Sequence, residues 1–273
     1  MRAEETRVSP RWLALRELAD AEAHASDLAE ILERALPASR SRIIHDLGCG
    51  SGAMGRWLAP LLAGSQHWIL HDRDADLLAL ATTYVPGPAA DGAPVTVETR
   101  RTDIARMDAH DLDGSDLITA SALLDLLTGE ELDRLAALCA GAGCPVLLTL
   151  SVLGSVEIAP ADPLDRRVAA AFDAHQRRTT ERGRLLGPDA VDFAARAFRR
   201  LGAEVLVRPS PWRLGPGHAA LTAEWFTGWV GAACEQETEL ADECEPYARR
   251  RLKQAGAGEL AVTVGHADLL VLP

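Results

Sequence analysis

Through residue 150 the chain alternates between two hydrophobic rhythms. Runs at 42–47, 67–72, 94–98, 116–122 and 146–150 read as strands, the third by alternation and the others by their apolar residues, and the segments between them space their apolar residues three or four positions apart, as helices do. Met54, Trp57, Leu58, Leu61 and Leu62 share one helical face before Gly64, with Pro60 set to kink the run. Leu77, Leu78, Leu80 and Ala81 repeat the pattern, and Leu132, Leu135 and Leu138 do so again behind a Thr128/Glu131 capping box. The run at 146–150 is apolar throughout, as a strand covered on both faces should be. This alternation predicts an α/β, doubly wound fold on a parallel sheet.

Two segments depart from that rhythm. Ser9-Pro10 is a helix start, and the helical pattern runs on to Pro37 with Leu28, Ile31, Leu32, Ala35 and Leu36 on one face. Beyond residue 151, Asp162-Pro163 opens an arginine-rich helix to about Thr180 and Pro188-Asp189 opens another to Leu201. A strand at 203–207, a Pro/Gly/Trp loop at 209–217 and helical residues around Trp225, Phe226 and Trp229 follow, before a closing strand or hairpin at 260–264 and 267–272. The organisation expected is one domain over 1–273, with an N-terminal helical segment at 1–38, a core at 40–150, and helical or loop additions at 151–200 and 209–255 that shape specificity.

Charge and composition remove several classes of function. A net charge of -12 argues against a partner bound by phosphate neutralisation, nucleic acid or anionic lipid, and leaves Arg177, Arg178, Arg182 and Arg184 as the candidates for a local basic patch. Lys253 is the sole lysine, in a polar helical stretch, which disfavours Schiff-base chemistry. The five cysteines show no CxxC pair and no zinc-like spacing to histidine, so no metal site is expected and a reduced, cytoplasmic setting fits. Glu4 and Glu5 near the start, and the lack of any run of about 18 apolar residues, argue against a signal peptide and a membrane span.

Candidate chemistry concentrates after the first strand. Gly50-Ser51-Gly52-Ala53-Met54-Gly55 satisfies the GxGxxG pattern of dinucleotide sites, while Asp46-Leu47-Gly48-Cys49-Gly50-Ser51-Gly52 satisfies an acid-x-GxGxG pattern. Three acids favour the second. Asp46 puts a carboxylate beside the cradle, tolerable next to an ammonium and a sulfonium but unfavourable next to a pyrophosphate. Asp72 ends the second strand, where a carboxylate accepts ribose hydroxyls; that position serves NAD equally. Asp103-Ile104 follows the third strand, where an acceptor and an apolar side chain suit an adenine.

With these residues in place the sequence resembles the seven-stranded, Rossmann-like S-adenosylmethionine-dependent methyltransferases, over roughly residues 40–150 by motif. The resemblance implies a doubly wound, mostly parallel sheet with an antiparallel last strand, to which residues 260–272 are suited. It implies S-adenosylmethionine as cofactor, with Asp46, Gly48, Cys49, Gly50 and Gly52 around the methionine and ribose, Asp72 on the ribose hydroxyls, and Asp103 with Ile104 at the adenine. Ala120 and Ser121 would pass beside the methionine moiety, Arg73 would neighbour the cofactor, and Arg16 is a candidate for a carboxylate. More narrowly, Ser121-Ala122-Leu123-Leu124-Asp125-Leu126, Asp173-Ala174-His175-Gln176 and Ser210-Pro211-Trp212-Arg213-Leu214 are similar to segments of a poorly characterised group of bacterial methyltransferases.

Methyl transfer from a sulfonium is an in-line displacement in which the protein aligns the acceptor and removes a proton where needed. The exit of the fourth strand, Thr119-Ala120-Ser121-Ala122, lacks the Asn/Asp-Pro-Pro-aromatic motif that grips amino groups of bases or glutamine, which favours a small-molecule acceptor. His175 and Asp125 are the candidate catalytic groups; helix packing is the ordinary role of the first, capping of the second. Trp212 is the candidate substrate contact, and Trp225 and Trp229 share the alternative of core packing. An NAD-dependent oxidoreductase and a non-catalytic cofactor-binding regulator or assembly partner are the competing readings. The oligomeric state is not legible.

Overall fold

A computed structural model describes residues 8–37 and 41–273, so Glu4 and Glu5 lie outside the described residues. Two helices come first, α1 (Pro10–Ala23) and α2 (Ser26–Ala35). The alternating core follows: β1 (Arg42–Leu47), α3 (Ala53–Leu58), β2 (Gln66–Asp72), α4 (Ala75–Thr83), β3 (Val95–Arg101), β4 (Leu117–Ser121), α5 (Gly129–Gly141) and β5 (Val146–Ala159). The remainder comprises α6 (Asp165–Gln176), the small hairpin β6 (Thr179–Thr180) and β7 (Gly183–Arg184), α7 (Ala190–Arg200), β8 (Glu204–Pro209), β9 (Trp212–Leu214), α8 (Ala219–Gln236), α9 (Ala241–Gly256) and β10 (Ala261–Leu272). Among the described residues no helix is long and apolar enough to cross a membrane.

The main sheet runs β3-β2-β1-β4-β5-β10-β8, with the short β9 added beside β10. Strands β1 to β5 are parallel to one another, and β10 is antiparallel to both β5 and β8. The expected doubly wound, mostly parallel sheet of seven strands with an antiparallel last strand is therefore present, with β9 as an eighth, short strand. Strand order reverses between β1 and β4, and the crevice beyond their C-terminal ends is where such sheets bind ligands.

Several boundaries differ from the sequence expectation, each for a local reason. The N-terminal pattern breaks into two helices at His24 and Ala25, which adopt extended backbone while the Ala25 N–H bonds Asp268 at 3.0 Å. Pro60 ends α3 early, and the chain continues as a 3-10 turn, Ala59–Leu61. Strand β5 continues to Ala159 instead of stopping at 150; its first half is buried on both faces, and its second alternates buried and exposed residues. The expected terminal hairpin is one strand, because register shifts at Val264/His266 and Ala267/Leu269 absorb the irregularity that reads as a turn. Helix α6 stops at Gln176, short of Thr180, and Thr179–Thr180 enters the small hairpin. The Thr128/Glu131 capping box forms as expected.

Apolar contacts gather on both faces of the sheet and around its extended edge. Leu132, Leu135 and Phe198 pack α5 and α7 on one face, and Leu32, Leu58 and Leu78 pack α2, α3 and α4 on the other. A further cluster, including Val168, Trp229 and Tyr247, holds α6, α8 and α9 against the outer halves of β5 and β10. That cluster builds a wall rising past the C-terminal ends of β1 and β4.

Candidate functional site

A cleft of about 1110 Å³ opens at those strand ends, roofed by α1 and closed on its far side by the wall. Its floor begins with the glycine loop. Gly48 and Gly50 take φ of +68° and +55°, the left-handed region that an L side chain adopts only with strain. A Cβ at Gly50 would also stand 3.2 Å from Leu13 on α1, so the roof helix seats directly on the loop.

Asp46 lies near the tip of β1, buried in the cleft wall. Its Oδ1 accepts a 2.8 Å hydrogen bond from Thr119 Oγ1, and its Oδ2 has no partner among the described residues. Burial pushes the carboxyl up to about 7, against the pull of the Thr119 bond and with a contribution from the Asp72 charge. Asp72, the last residue of β2, accepts the Gly50 N–H on Oδ2 and the Asp74 N–H on Oδ1, both at 2.9 Å. It thereby ties the glycine loop to the strand beside it.

The remaining candidates from the first half sort by position. Cys49, Arg73, Asp103, Ile104 and Ser121 line the cleft. Asp103 accepts the Ala105 N–H at 3.0 Å and caps the 3-10 turn Ile104–Arg106. Burial, with the nearby Asp46 and Asp72 charges, pushes the Cys49 thiol far above its ordinary range, which fits a small loop residue and not a thiolate. Ala120 is not brought to the cleft: it is buried in β4, where strand alternation turns its side chain into the α5/α7 core.

On the roof, Arg16 donates from Nε to Asp20 Oδ2 at 2.8 Å, and its guanidinium carbon stands 5.1 Å from the Trp212 ring centroid. Asp20 Oδ1 accepts the Trp212 indole N–H at 2.9 Å. Trp212 thus contributes to the wall while nearly all its surface is packed, so lining and core packing are combined in one residue. Trp225 also lines the cleft; Trp229 is a core residue.

Asp125 sits on the 3-10 turn Leu124–Leu126 after β4 and faces the cleft. Burial pushes its carboxyl up to about 6 against the pull of Arg16 and Arg178, and no side-chain hydrogen bond engages it among the described residues. His175 is a correction. It does not line the cleft; Nε2 lies 3.3 Å from Glu235 on α8, and burial and Arg178 lower its pKa. The spacing that groups it with Val168 and Phe172 is the packing face of α6 on α8, and the same spacing carries the imidazole into that interface. Of the arginines considered for a basic patch, Arg177 pairs with Asp189 and Arg182 with Glu131.

Sequence reading missed four cleft residues or supports: Asp20, His24, His266 and Asp268. Buried Asp268 accepts the Leu150 N–H at 2.8 Å, the Ser210 hydroxyl at 2.6 Å and the Ala25 N–H at 3.0 Å. The available signal was a histidine and an aspartate, His266 and Asp268, in a mostly apolar terminal strand. Ala122 and Leu150, both lining the cleft, hold positive φ of 50° and 53°, local strain retained at the site.

No protein-family model matches the chain, and no curated protein matches it. Among solved structures it is similar to a cyclopropane synthase from Mycobacterium tuberculosis, at 13% identity and TM-score 0.49 over 96% of this chain and 94% of that one. It is similar also to a SAM-dependent methyltransferase from Geobacter sulfurreducens solved with S-adenosyl-L-homocysteine, at 17% identity and TM-score 0.47 over 97% and 98%. A SAM-dependent methyltransferase from Thiobacillus denitrificans, solved with the same ligand, gives 16% identity and TM-score 0.46 over 97% and 99%. At that level of likeness the fold assignment rests on the chain's own strand order.

Proposed function

We propose that this chain is an S-adenosylmethionine-dependent methyltransferase acting on a small-molecule acceptor. The observation that carries the reading is the Oδ2 atom of Asp46, a buried carboxylate oxygen without a partner in the wall of the cleft, next to the glycine loop. A buried anion calls for a cation. An α-ammonium or a sulfonium supplies one, whereas a dinucleotide pyrophosphate would add a second anion beside it.

In this reading residues 48–52 cradle the methionine and ribose, and Asp72 keeps a free lone pair on each oxygen for the ribose hydroxyls while holding the loop. Asp103 and Ile104 take the adenine, with Arg73 alongside and Ser121 near the methionine. The Nη atoms of Arg16 take the carboxylate, because its Nε is already committed to Asp20. When bound, S-adenosylmethionine supplies a methyl group activated on a sulfonium. The protein's part is to exclude water under α1, align the acceptor, and hold a proton or a hydrogen bond at Asp125. The five free cysteines support a reducing, cytoplasmic setting as part of this reading.

Calorimetry with S-adenosylmethionine, S-adenosylhomocysteine and NAD tests it. Binding of the first two without NAD is expected; binding of NAD without S-adenosylhomocysteine overturns the reading in favour of an oxidoreductase. Binding without transfer of labelled methyl to any compound of a metabolite extract favours the non-catalytic alternative.

A further inference from the structure

We infer that the far end of the cleft is the binding site for a planar aromatic molecule carrying a hydroxyl, and that this hydroxyl donates a hydrogen bond to Nε2 of His266. The inference rests on the methyl-transfer reading for its purpose, since it names the class of acceptor, but it is tested separately.

His266 stands at the first register shift of β10, paired with Val152 of the extended β5. Its Nδ1 lies 3.1 Å from the Val264 carbonyl oxygen. A carbonyl oxygen accepts only, so Nδ1 carries the proton and Nε2 presents a bare lone pair. That nitrogen has no partner among the described residues. It is also absent from the sealed, unsatisfied polar atoms of the protein, so it reaches the cleft that His266 lines.

The surroundings keep the ring neutral. Burial dominates and Arg16 on α1 adds to it, with a lesser contribution from His24, while the Val264 carbonyl and Asp268 pull the other way; the imidazole is pushed down to about 4. At neutral pH Nε2 is therefore a fixed acceptor in search of a donor. An alkyl chain filling this space would leave it buried and unpaired, which costs free energy.

The walls around that acceptor determine the shape of the donor. The Trp212 ring centroid lies 5.1 Å from that of His266, Trp12 lies 6.1 Å from Trp212, and Phe172 and Trp225 complete the aromatic lining. Val152, Val156 and Val264 fill the gaps. Flat aromatic walls, in which Asp20 is already engaged by Arg16 and Trp212 while His266 Nε2 is an open acceptor, match an aromatic ring with one hydroxyl better than a sugar, whose several polar groups would lose water without replacement.

The probes are 2-naphthol, naphthalene and cyclohexanol, titrated by tryptophan fluorescence into the full chain with and without S-adenosylhomocysteine. 2-Naphthol is expected to bind about tenfold more tightly than naphthalene, the worth of one hydrogen bond, and more tightly than cyclohexanol. His266→Phe is expected to abolish the naphthol-over-naphthalene preference while leaving naphthalene affinity in place, which a merely structural role would not do. Nitrogen-15 histidine spectra of the wild-type protein need no variant: a resonance for the Nδ1–H tautomer is expected, with Nε2 moving upfield on addition of 2-naphthol. Equal binding of naphthol and naphthalene, cyclohexanol binding as well as naphthol, or an Nε2–H tautomer overturns the inference. Failure of S-adenosylhomocysteine to bind sinks the methyl-transfer reading alone, because the naphthol measurement without it still reports on the subsite.

Discussion

Thr119 Oγ1 holds one oxygen of Asp46 at 2.8 Å and leaves the other oxygen buried without a partner in a residue of the cleft wall. The carboxyl is consequently poised near neutrality, pushed up to about 7 by burial. A ligand cation beside it would bind the ionised form, so cofactor binding should release a proton. S-adenosylhomocysteine affinity is expected to level off at alkaline pH and to fall, by up to about tenfold per pH unit, below the carboxyl's pKa. Asp46→Asn should remove that dependence. Thr119→Val should move it to higher pH, because the lost hydrogen bond is one that favours the charged form. Calorimetry across pH reads all three; a flat profile for the wild-type protein sinks the assignment. The same carboxyl binds more protons folded than unfolded between its ordinary pKa and about 7, so its contribution to stability is lost as pH rises through that window. Asp46→Asn should therefore stabilise the ligand-free fold at neutral pH, by about 1–3 kcal/mol, while weakening cofactor binding.

Asp72 has two tasks that substitution can separate. Both of its oxygens already accept backbone N–H groups, from Gly50 and Asp74, so Asp72→Ala should loosen the glycine loop as well as weaken the cofactor. Cofactor affinity is expected to fall at least about tenfold, with a stability loss of about 1–3 kcal/mol from the unpaired donors. Asp72→Asn keeps one acceptor and should retain more stability than it retains affinity. Thermal denaturation beside calorimetry distinguishes these, and equal losses in both for the two variants would contradict the double role.

Beneath the loop, His45 Nδ1 and His71 Nε2 share a buried 2.9 Å hydrogen bond, and burial pushes each ring down to about 4. Unfolded histidines near 6.5 bind more protons than these do, so the stabilisation is complete above about pH 6.5 and is lost as pH falls toward 4. Each histidine contributes a slope of up to about 1.4 kcal/mol per pH unit in that window, His266 included. Asp46 works in the opposite direction there, so the loss should be steeper in Asp46→Asn. Urea midpoints measured across the window check this; a wild-type profile rising with acidification would refute it.

The core of the fold was legible because each of its elements announces itself locally. Four of the five parallel strands are short, mostly apolar runs and the edge strand β3 alternates, the intervening helices carry single apolar faces, and the capping box at Thr128 is a four-residue pattern. Asp46, the glycines, Asp72 and Asp103 were legible for the same reason: they follow strand ends, and the sheet order brings strand ends together. Lost from view was whatever depends on long-range register. The outer half of β5 carries a half-buried alternation easily taken for loop, and β10 contains two irregularities that imitate a turn. His266, Asp268 and Asp20 acquire meaning only when β10, β5 and α1 are assembled. His175 fails in the opposite sense: its helical spacing was read correctly, but which neighbour the face meets is decided by α8, nearly sixty residues further on.

Asp268 is where that assembly can be tested. One buried carboxylate joins β10 to the bend of β5 through Leu150, to the turn before β9 through Ser210, and to the joint between α1 and α2 through Ala25 and His24. Burial alone would raise its pKa, but His24, Ser210 and the Leu150 N–H together outweigh it and hold the carboxyl below its ordinary value. Its contribution to stability is thus present above the ordinary carboxylate pKa and is lost as pH falls through the folded one. Asp268→Ala removes the partner of the Leu150 and Ala25 N–H groups, the Ser210 hydroxyl and His24 Nδ1, and releases Leu150 from a backbone conformation of positive φ. A loss of about 3–5 kcal/mol is expected by urea denaturation. Because Leu150 and His24 both line the cleft, ligand affinity should fall in the same variant without any contact being removed. Asp268→Asn retains the acceptor for Leu150 and Ser210 but sets an amide N–H against that of Ala25, so it should fall between wild type and alanine. A loss below about 1 kcal/mol for Asp268→Ala would mean that the roof helix is held by its apolar contacts alone.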